Sequence, residues 1–410
     1  MKRAWSRVLV NCSVLVVLCI GADSKKSSGS EVPPLWIADL NQFSYASRPE
    51  PHYIGGRPYI GGKFIDIGVA ITALDGVVCY FVTREGVGQL VQRERLDDPA
   101  TSRKLNIIFF DPESGALKFR KQLPTRSGFS SVLINDKGNF ILRAGDFLRL
   151  YGRDFVVLKE RKLDATQQYI MDEWQMRLSA SGMSLLLNHY SPSGTYDEIL
   201  DSSSLGTIST LKVPGLRDFS ISERVILHAD RDHKKVFVRS SGGQWQTLVP
   251  QLPLSCVSNP VLIDDHRIVN ACGREVVLLG LDSNLLMRDE VDKKENLEDL
   301  VSVTPDGRFF ALSAMQTKGG FMDYTSIKRG RTRILVYDTT LRKRIFSVQV
   351  DPIPKKDYDF ALAPDGGKLA VMIDSQLKVY AIQPQNKVPG SEGFDLKNGT
   401  LHRQPETVAP

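Results

Sequence analysis

Histidine and cysteine are scarce in this chain, at 6 and 5 of 410 residues. That frequency excludes a His-rich metal centre and a disulfide-dense miniature fold. There is no His-Glu-x-x-His, Gly-x-Ser-x-Gly, phosphate loop or Gly-x-Gly-x-x-Gly, so the common signatures of metalloproteases, α/β-hydrolases and nucleotide-binding folds are missing. No Lys/Arg block stands out, and nothing beyond the first residues approaches the roughly 20 apolar residues of a membrane span. Sustained helical periodicity is absent too, which turns attention to strands.

What is present begins with the leader. Lys2, Arg3 and Arg7 precede a mostly apolar run, Val8 to Ile20, and Gly21 and Ala22 lead into polar residues from Asp23 to Ser30. That order is a secretory signal peptide over 1–22, with a polar linker over 23–34. Cys19 follows Leu18, where a lipoprotein box has Gly, Ala or Ser, so cleavage after Gly21 or Ala22 is expected. The expected location is secreted or periplasmic. Loss of the leader takes the formal net charge from +6 to +3, too little to argue for nucleic acid. The exported chain keeps Cys79, Cys256 and Cys272. Cys256 and Cys272 flank one predicted strand and turn and are the pair placed to form a disulfide; Cys79, in an apolar strand, is the thiol left over.

The strongest internal signal is a repeat. Ser302-Val303-Thr304-Pro305-Asp306-Gly307-Arg308-Phe309 joins two apolar strands by a tight turn, and Ala361-Leu362-Ala363-Pro364-Asp365-Gly366-Gly367 copies it. Weaker copies lie at Asp75-Gly76, Asn135 to Gly138, Ser179 to Gly182, Ser222 to Arg224 and Asp264 to His266. Pro presets φ, Asp bonds locally and Gly accepts positive φ, so each is a turn with a mechanism. The turns recur about every 41 to 44 residues, apart from two gaps of about 60 that hold polar insertions, Arg84 to Arg103 and Gln316 to Arg331. A second strand–turn–strand follows each, as at Phe110-Asp111 to Phe119 and Tyr337-Asp338 to Phe346. Two hairpins make a four-stranded antiparallel blade. The last unit lacks its fourth strand, and the orphan stretch Leu35 to Leu40 can supply it, closing a ring. The predicted fold is therefore all-β, a seven-bladed β-propeller over 35–383 followed by a disordered tail over 384–410. Gly55 to Gly62 fits no strand and leaves six or eight blades open.

These units resemble YVTN-type and WD-repeat-like propeller blades. Tyr337-Asp338 stands where WD repeats have Trp-Asp, and Asp111 to Phe119 is similar to the quinoprotein-type repeat, with Phe119 at its blade-packing Trp. The resemblance implies a disc of radial blades with ligand sites on one face. It implies no single activity.

Candidate site residues follow from the register. Trp174, Asp218, Asp299, Tyr358 and Asp359 sit just before innermost strands and are expected near one mouth of the channel, as ligand-binding groups or as strand caps. Both insertions fall on that same face by connectivity, the second carrying Phe321, Met322, Tyr324, Lys328, Arg329 and Arg331. His228, Asp230 and His233 are the most metal-like set, although Arg231, Lys234 and Lys235 oppose a cation and a solvated loop is the alternative. No cofactor is expected. The expected role is a non-catalytic binding or scaffolding module for a protein, peptide or glycan. The competing reading is an extracytoplasmic enzyme, a glycan-acting lyase or hydrolase or an oxidoreductase, with its site at the channel mouth.

Overall fold

The computed structural model describes residues 32–43, 67–72, 76–85, 102–125, 132–144, 147–163, 175–191, 194–213, 218–230, 234–240, 243–248, 257, 260–318, 328–350, 358–373 and 375–382. The leader, the stretch Gly55 to Gly62 and the tail lie outside them. The described residues form 28 strands and one 3-10 turn, Leu40–Phe43, with no α-helix.

The strands assort into seven four-stranded antiparallel sheets. From innermost to outermost strand, blade I runs from Ile67–Thr72 to Leu117–Thr125, blade II from Val132–Ile134 to Val157–Lys162, and blade III from Gln175–Leu178 to Thr207–Val213. Blade IV runs from Asp218–Ile221 to Gln246–Leu248, blade V from Val261–Leu262 to Leu285–Glu290, and blade VI from Glu295–Val303 to Lys343–Val350. Blade VII contains Tyr358–Leu362, Lys368–Ile373 and Gln376–Ala381, and takes its fourth strand, Trp36–Asp39, from the other end of the chain. Trp36 pairs with Val379 and Asp39 with Gln376. The chain is a seven-bladed β-propeller.

Local chemistry explains the turns. At the first turn of blade VI the Gly307 N–H donates to the Thr304 carbonyl (2.9 Å), and the Thr304 hydroxyl accepts from the Phe309 N–H (2.9 Å). Gly307 has φ of 65°, which a Cβ would disfavour. The equivalent Gly366 N–H donates to Ala363 O at 2.8 Å. The second turns share a device that sequence inspection did not show. Gly115, Phe155, Leu205, Ser283 and Arg342 all have positive φ at the same position, and only one of them is glycine. Phe155 repays its strain by packing between blades I and II, stacked on Phe140 at 4.9 Å and edge-on to Phe109 at 6.1 Å.

Because the sheets stand radially, strand alternation sends successive side chains to the preceding and following blade. The core is accordingly a series of interblade layers. Tyr358, Phe360 and Leu362 join the layer with Ile334, Val348 and Val350 of blade VI, whereas Ala361, Ala370 and Met372 join Trp36, Val77 and Phe110. Each large side chain so buried contributes about 1.5–3 kcal/mol.

The face carrying the tight turns is stapled from blade to blade. Asn135 Nδ2 donates to Ser202 O at 3.2 Å between blades II and III, and Ser184 Oγ donates to Glu223 at 3.1 Å between III and IV. Ser222 Oγ donates to Asp265 at 2.7 Å, joining IV to V, and Arg267 reaches Gly307 O at 3.3 Å, joining V to VI. Lys368 pairs with Glu113 at 2.6 Å across the closure of VII on I. These links tie that face together at five of the seven blade boundaries.

Candidate functional site: the loop face and its two long hairpins

The second and third strands of a blade meet at the end opposite the tight turns, the end to which the interblade linkers also return. In blades II, IV, V and VII these strands are five or six residues long. In blade I they lengthen to Gly76–Glu85 and Ser102–Phe110, paired out to Glu85 opposite Ser102. In blade VI they are Phe309–Lys318 and Lys328–Asp338, paired out to Lys318 opposite Lys328. The two insertions read from the sequence thus extend their hairpins as ordered ladder before leaving the described residues. Blade VII lies between blades I and VI, so the hairpins flank it on one face.

The blade VI hairpin is anchored at its base. Arg333 donates through Nε to Glu295 at 2.7 Å and through Nη2 to Asp292 at 3.3 Å. Burial opposes the guanidinium charge, but the bonds and attraction of Glu295 and Asp292 outweigh it and hold the pKa above its ordinary value. Gly330 admits the crossing of Gln316, whose carbonyl would meet a Cβ at 2.5 Å, and the ladder shifts register there, between Met315 and Thr317. Such a bulge re-aims a hairpin tip.

The residues expected near the channel are placed as follows. Asp218 opens the inner strand of blade IV, and Asp299 lies in that of blade VI, where the register shifts between Leu297 and Val301. Tyr358 and Asp359 open the inner strand of blade VII, both buried, at 7 % and 2 % exposure. Asp218 and Asp359 stand four residues before their turns' first residues, Ser222 and Ala363, at matching positions of two blades. Trp174 is outside the described residues.

Of the metal-like set, His228 and Asp230 share the strand Val225–Asp230, and His233 is outside the described residues. His228 is fully buried rather than in a loop, and its Nε2 bonds Asp197 Oδ2 of blade III at 2.6 Å, with Trp245 edge-on at 5.2 Å. The pairing escaped sequence reading because Asp197 belongs to a different blade. No group of three His, Cys, Asp or Glu suited to a metal occurs among the described residues.

Cys272 is disulfide-bonded, and Cys256 is outside the described residues. Cys79 is a free, buried thiol, and burial pushes its pKa far up. Phe119, at the blade-packing position, stacks on Phe109 at 3.9 Å. Tyr337 donates to Asp289 of blade V at 2.9 Å, and Asp338 is buried beside it.

No protein-family model matches the chain, and no curated protein matches it. Solved structures are similar. A chain of a mitotic checkpoint complex is 13% identical with a TM-score of 0.49, covering 91% of this chain and 99% of that one. A streptogramin B lyase is 10% identical with a TM-score of 0.48, covering 84% and 97%. BamB from Moraxella catarrhalis is 11% identical with a TM-score of 0.41, covering 85% and 99%. These are likenesses to other propellers; the blade count rests on the strand order described above. Among the described residues no helix is long and apolar enough to cross a membrane.

Proposed function

We propose that this chain is an exported, non-catalytic scaffold whose loop face holds a protein or peptide partner. The observation that carries the reading is the pair of extended hairpins of blades I and VI, rising on either side of blade VII. The described ladder of both hairpins is already ordered by strand pairing, so that part of a binding surface carries little ordering cost. The polar pairs described inside the disc, Arg333 with Glu295 and His228 with Asp197, hold blades and hairpin bases in place. They serve the rigidity on which such a surface depends.

The test is site-specific photocrosslinking in the native host. A crosslinker at Glu85 or Lys318 is expected to trap one partner, while one at Arg224, on the tight-turn face, does not. Equal trapping from both faces, or none at the hairpins, sinks the reading. Export is tested separately by fusing residues 1–22 to a reporter active only outside the cytoplasm. A reporter that stays inactive removes the compartment from the proposal.

A further inference from the structure

The two long hairpins carry a charge pattern that the other blades lack. In an antiparallel ladder, directly opposite residues share a face and lie close together, so like charges there cost stability. Only two like-charged pairs occur among the described pairings of second with third strands. One is Arg84 opposite Arg103, near the end of the blade I hairpin. The other is Lys318 opposite Lys328, at the end of the blade VI hairpin. The loop-face ends of the remaining blades pair Ala144 with Phe147, Ser191 with Gly194, Asp230 with Lys235, Cys272 with Glu275 and Ile373 with Gln376. None of these is like-charged, and Asp230 with Lys235 is a pair of opposite charges.

One further like-charged pair occurs among all the described pairings, Glu275 opposite Glu290 on the third and fourth strands of blade V. There the fold supplies the opposite charge itself: Arg288 pairs with Glu275, and Arg274 with Glu290 at 3.3 Å. The basic pairs are placed differently. Beyond the pairs Val82–Leu105 and Met315–Thr332, the two ladders also carry Lys104, Arg329 and the exposed Arg331, against one acid, Glu85. In blade VI this stretch outruns its sheet. The inner strand begins at Glu295, opposite Gln316, and the outer strand ends at Val350, opposite Thr332. A two-stranded ribbon without neighbours is marginal in water. Repelling pairs at this least supported part of the ladder weaken it further, and an anionic partner turns that repulsion into attraction.

We infer that the two long hairpins receive an acidic segment of the partner protein, its carboxylates answering Arg84 and Arg103 on one side of blade VII and Lys318 and Lys328 on the other. The site is the loop face proposed above, so this inference rests on that reading and adds the chemistry of the partner. A nucleic acid or an anionic bilayer fits less well. Either is bound by basic charge spread over a broad surface, whereas the hairpin end of blade VII, between the two sites, carries no base from Ile373 to Gln376.

The probe is a synthetic peptide, Gly-Glu-Asp-Glu-Ser-Glu-Asp-Glu-Gly, read by fluorescence anisotropy with the full chain at low salt, and its Gln and Asn counterpart is the control. The acidic peptide is expected to bind and its counterpart not to, with affinity falling as salt rises. The Arg103→Glu, Lys328→Glu double variant turns both like-charged pairs into opposite-charge pairs. It is expected to weaken binding about tenfold or more while melting no lower than wild type, which separates lost recognition from a damaged fold. The Lys137→Glu, Lys159→Glu double variant makes the same change in net charge at exposed positions away from the loop face, and is expected to bind within about twofold of wild type. The proposal is overturned if the acidic peptide does not bind, if its uncharged counterpart binds as well, or if the two double variants lose affinity equally. It is also overturned if the Arg103→Glu, Lys328→Glu variant melts below wild type. Vesicles of phosphatidylglycerol, or a single-stranded oligonucleotide, that bind more tightly than the peptide with the same variant sensitivity overturn it too. Crosslinks from Glu85 and Lys318 without acidic-peptide binding keep the loop face as the docking surface and remove only this chemistry. Absent crosslinks strike the loop-face reading itself.

Discussion

The indole of Trp36 lies over Gly115, where a Cβ would stand 2.6 Å from the ring, and its Nε1 donates to Pro112 O at 3.1 Å. At the matching turn position blades II and III carry Phe155 and Leu205, which pack back toward the preceding blade. Blade I has glycine there because the preceding blade, VII, brings its own filler. Trp36→Ala is expected to cost about 3–5 kcal/mol, as for other large buried aromatics. Gly115→Val should destabilise through both the clash and its φ of 70°. Urea unfolding measures both, and a loss under 1 kcal/mol for Trp36→Ala would contradict the role given to the closing strand.

His228 and Asp197 join blades III and IV in a site closed to water. Each replacement removes a buried hydrogen bond between blades, so His228→Ala or Asp197→Ala is expected to cost about 1–3 kcal/mol. The double replacement should cost clearly less than the two losses combined, because the two single variants lose the same bond. Additive losses in a double-mutant cycle would show the pair to be incidental.

At alkaline pH the buried Cys79 thiol sets a limit. Its folded pKa lies far above the ordinary 9.0, so the fold keeps a proton that the unfolded chain gives up. Its stability contribution is complete below pH 9.0 and is lost as pH climbs toward the folded value, at about 1.4 kcal/mol per pH unit. Tyr337, raised by burial and by Asp289 from 10.0, adds a second loss above pH 10. Cys79→Val should flatten the slope of stability against pH between 9 and 10, and a parallel curve would refute the assignment.

Acid acts through the second turns. The Asp111 carboxylate accepts from the Ser114 N–H and hydroxyl, and that of Asp201 from the Ser204 and Ser203 hydroxyls; these bonds lower both pKa values below 3.8. The sign is opposite to that of Cys79: the contribution is present above pH 3.8 and is lost as pH falls through the folded values. The Asp111→Asn, Asp201→Asn double variant should lose less stability than wild type between pH 5 and pH 3. Thermal melts across that range decide it.

The fold was legible where its causes are local. Pro305-Asp306-Gly307 and Pro364-Asp365-Gly366 announce their turns because φ preference and short-range bonding need no distant partner. The orphan stretch from Leu35 to Leu40 could be matched to blade VII because that unit visibly lacked a strand. The left-handed positions of Phe155 and Leu205 were hidden, since neither is Gly or Asn and their strain is offset by packing on another blade. His228 looked like a ligand beside Asp230 because sequence shows its neighbours in the chain, while its true neighbour, Asp197, is set by blade order. Tyr358 and Asp359 were legible as the start of an inner strand, while their burial depends on blade packing that no single repeat shows.

Ring closure through Trp36–Asp39 also sets a schedule. The ribosome makes that segment well before its pairing strand, Gln376–Ala381. The clasp therefore stays open until blade VII is made, and its contact, so distant in sequence, is slow to form. A polypeptide that cannot lock until blade VII emerges stays threadable until then, and a product truncated between Asp39 and Gln376 leaves its first strand without a partner for quality control to recognise.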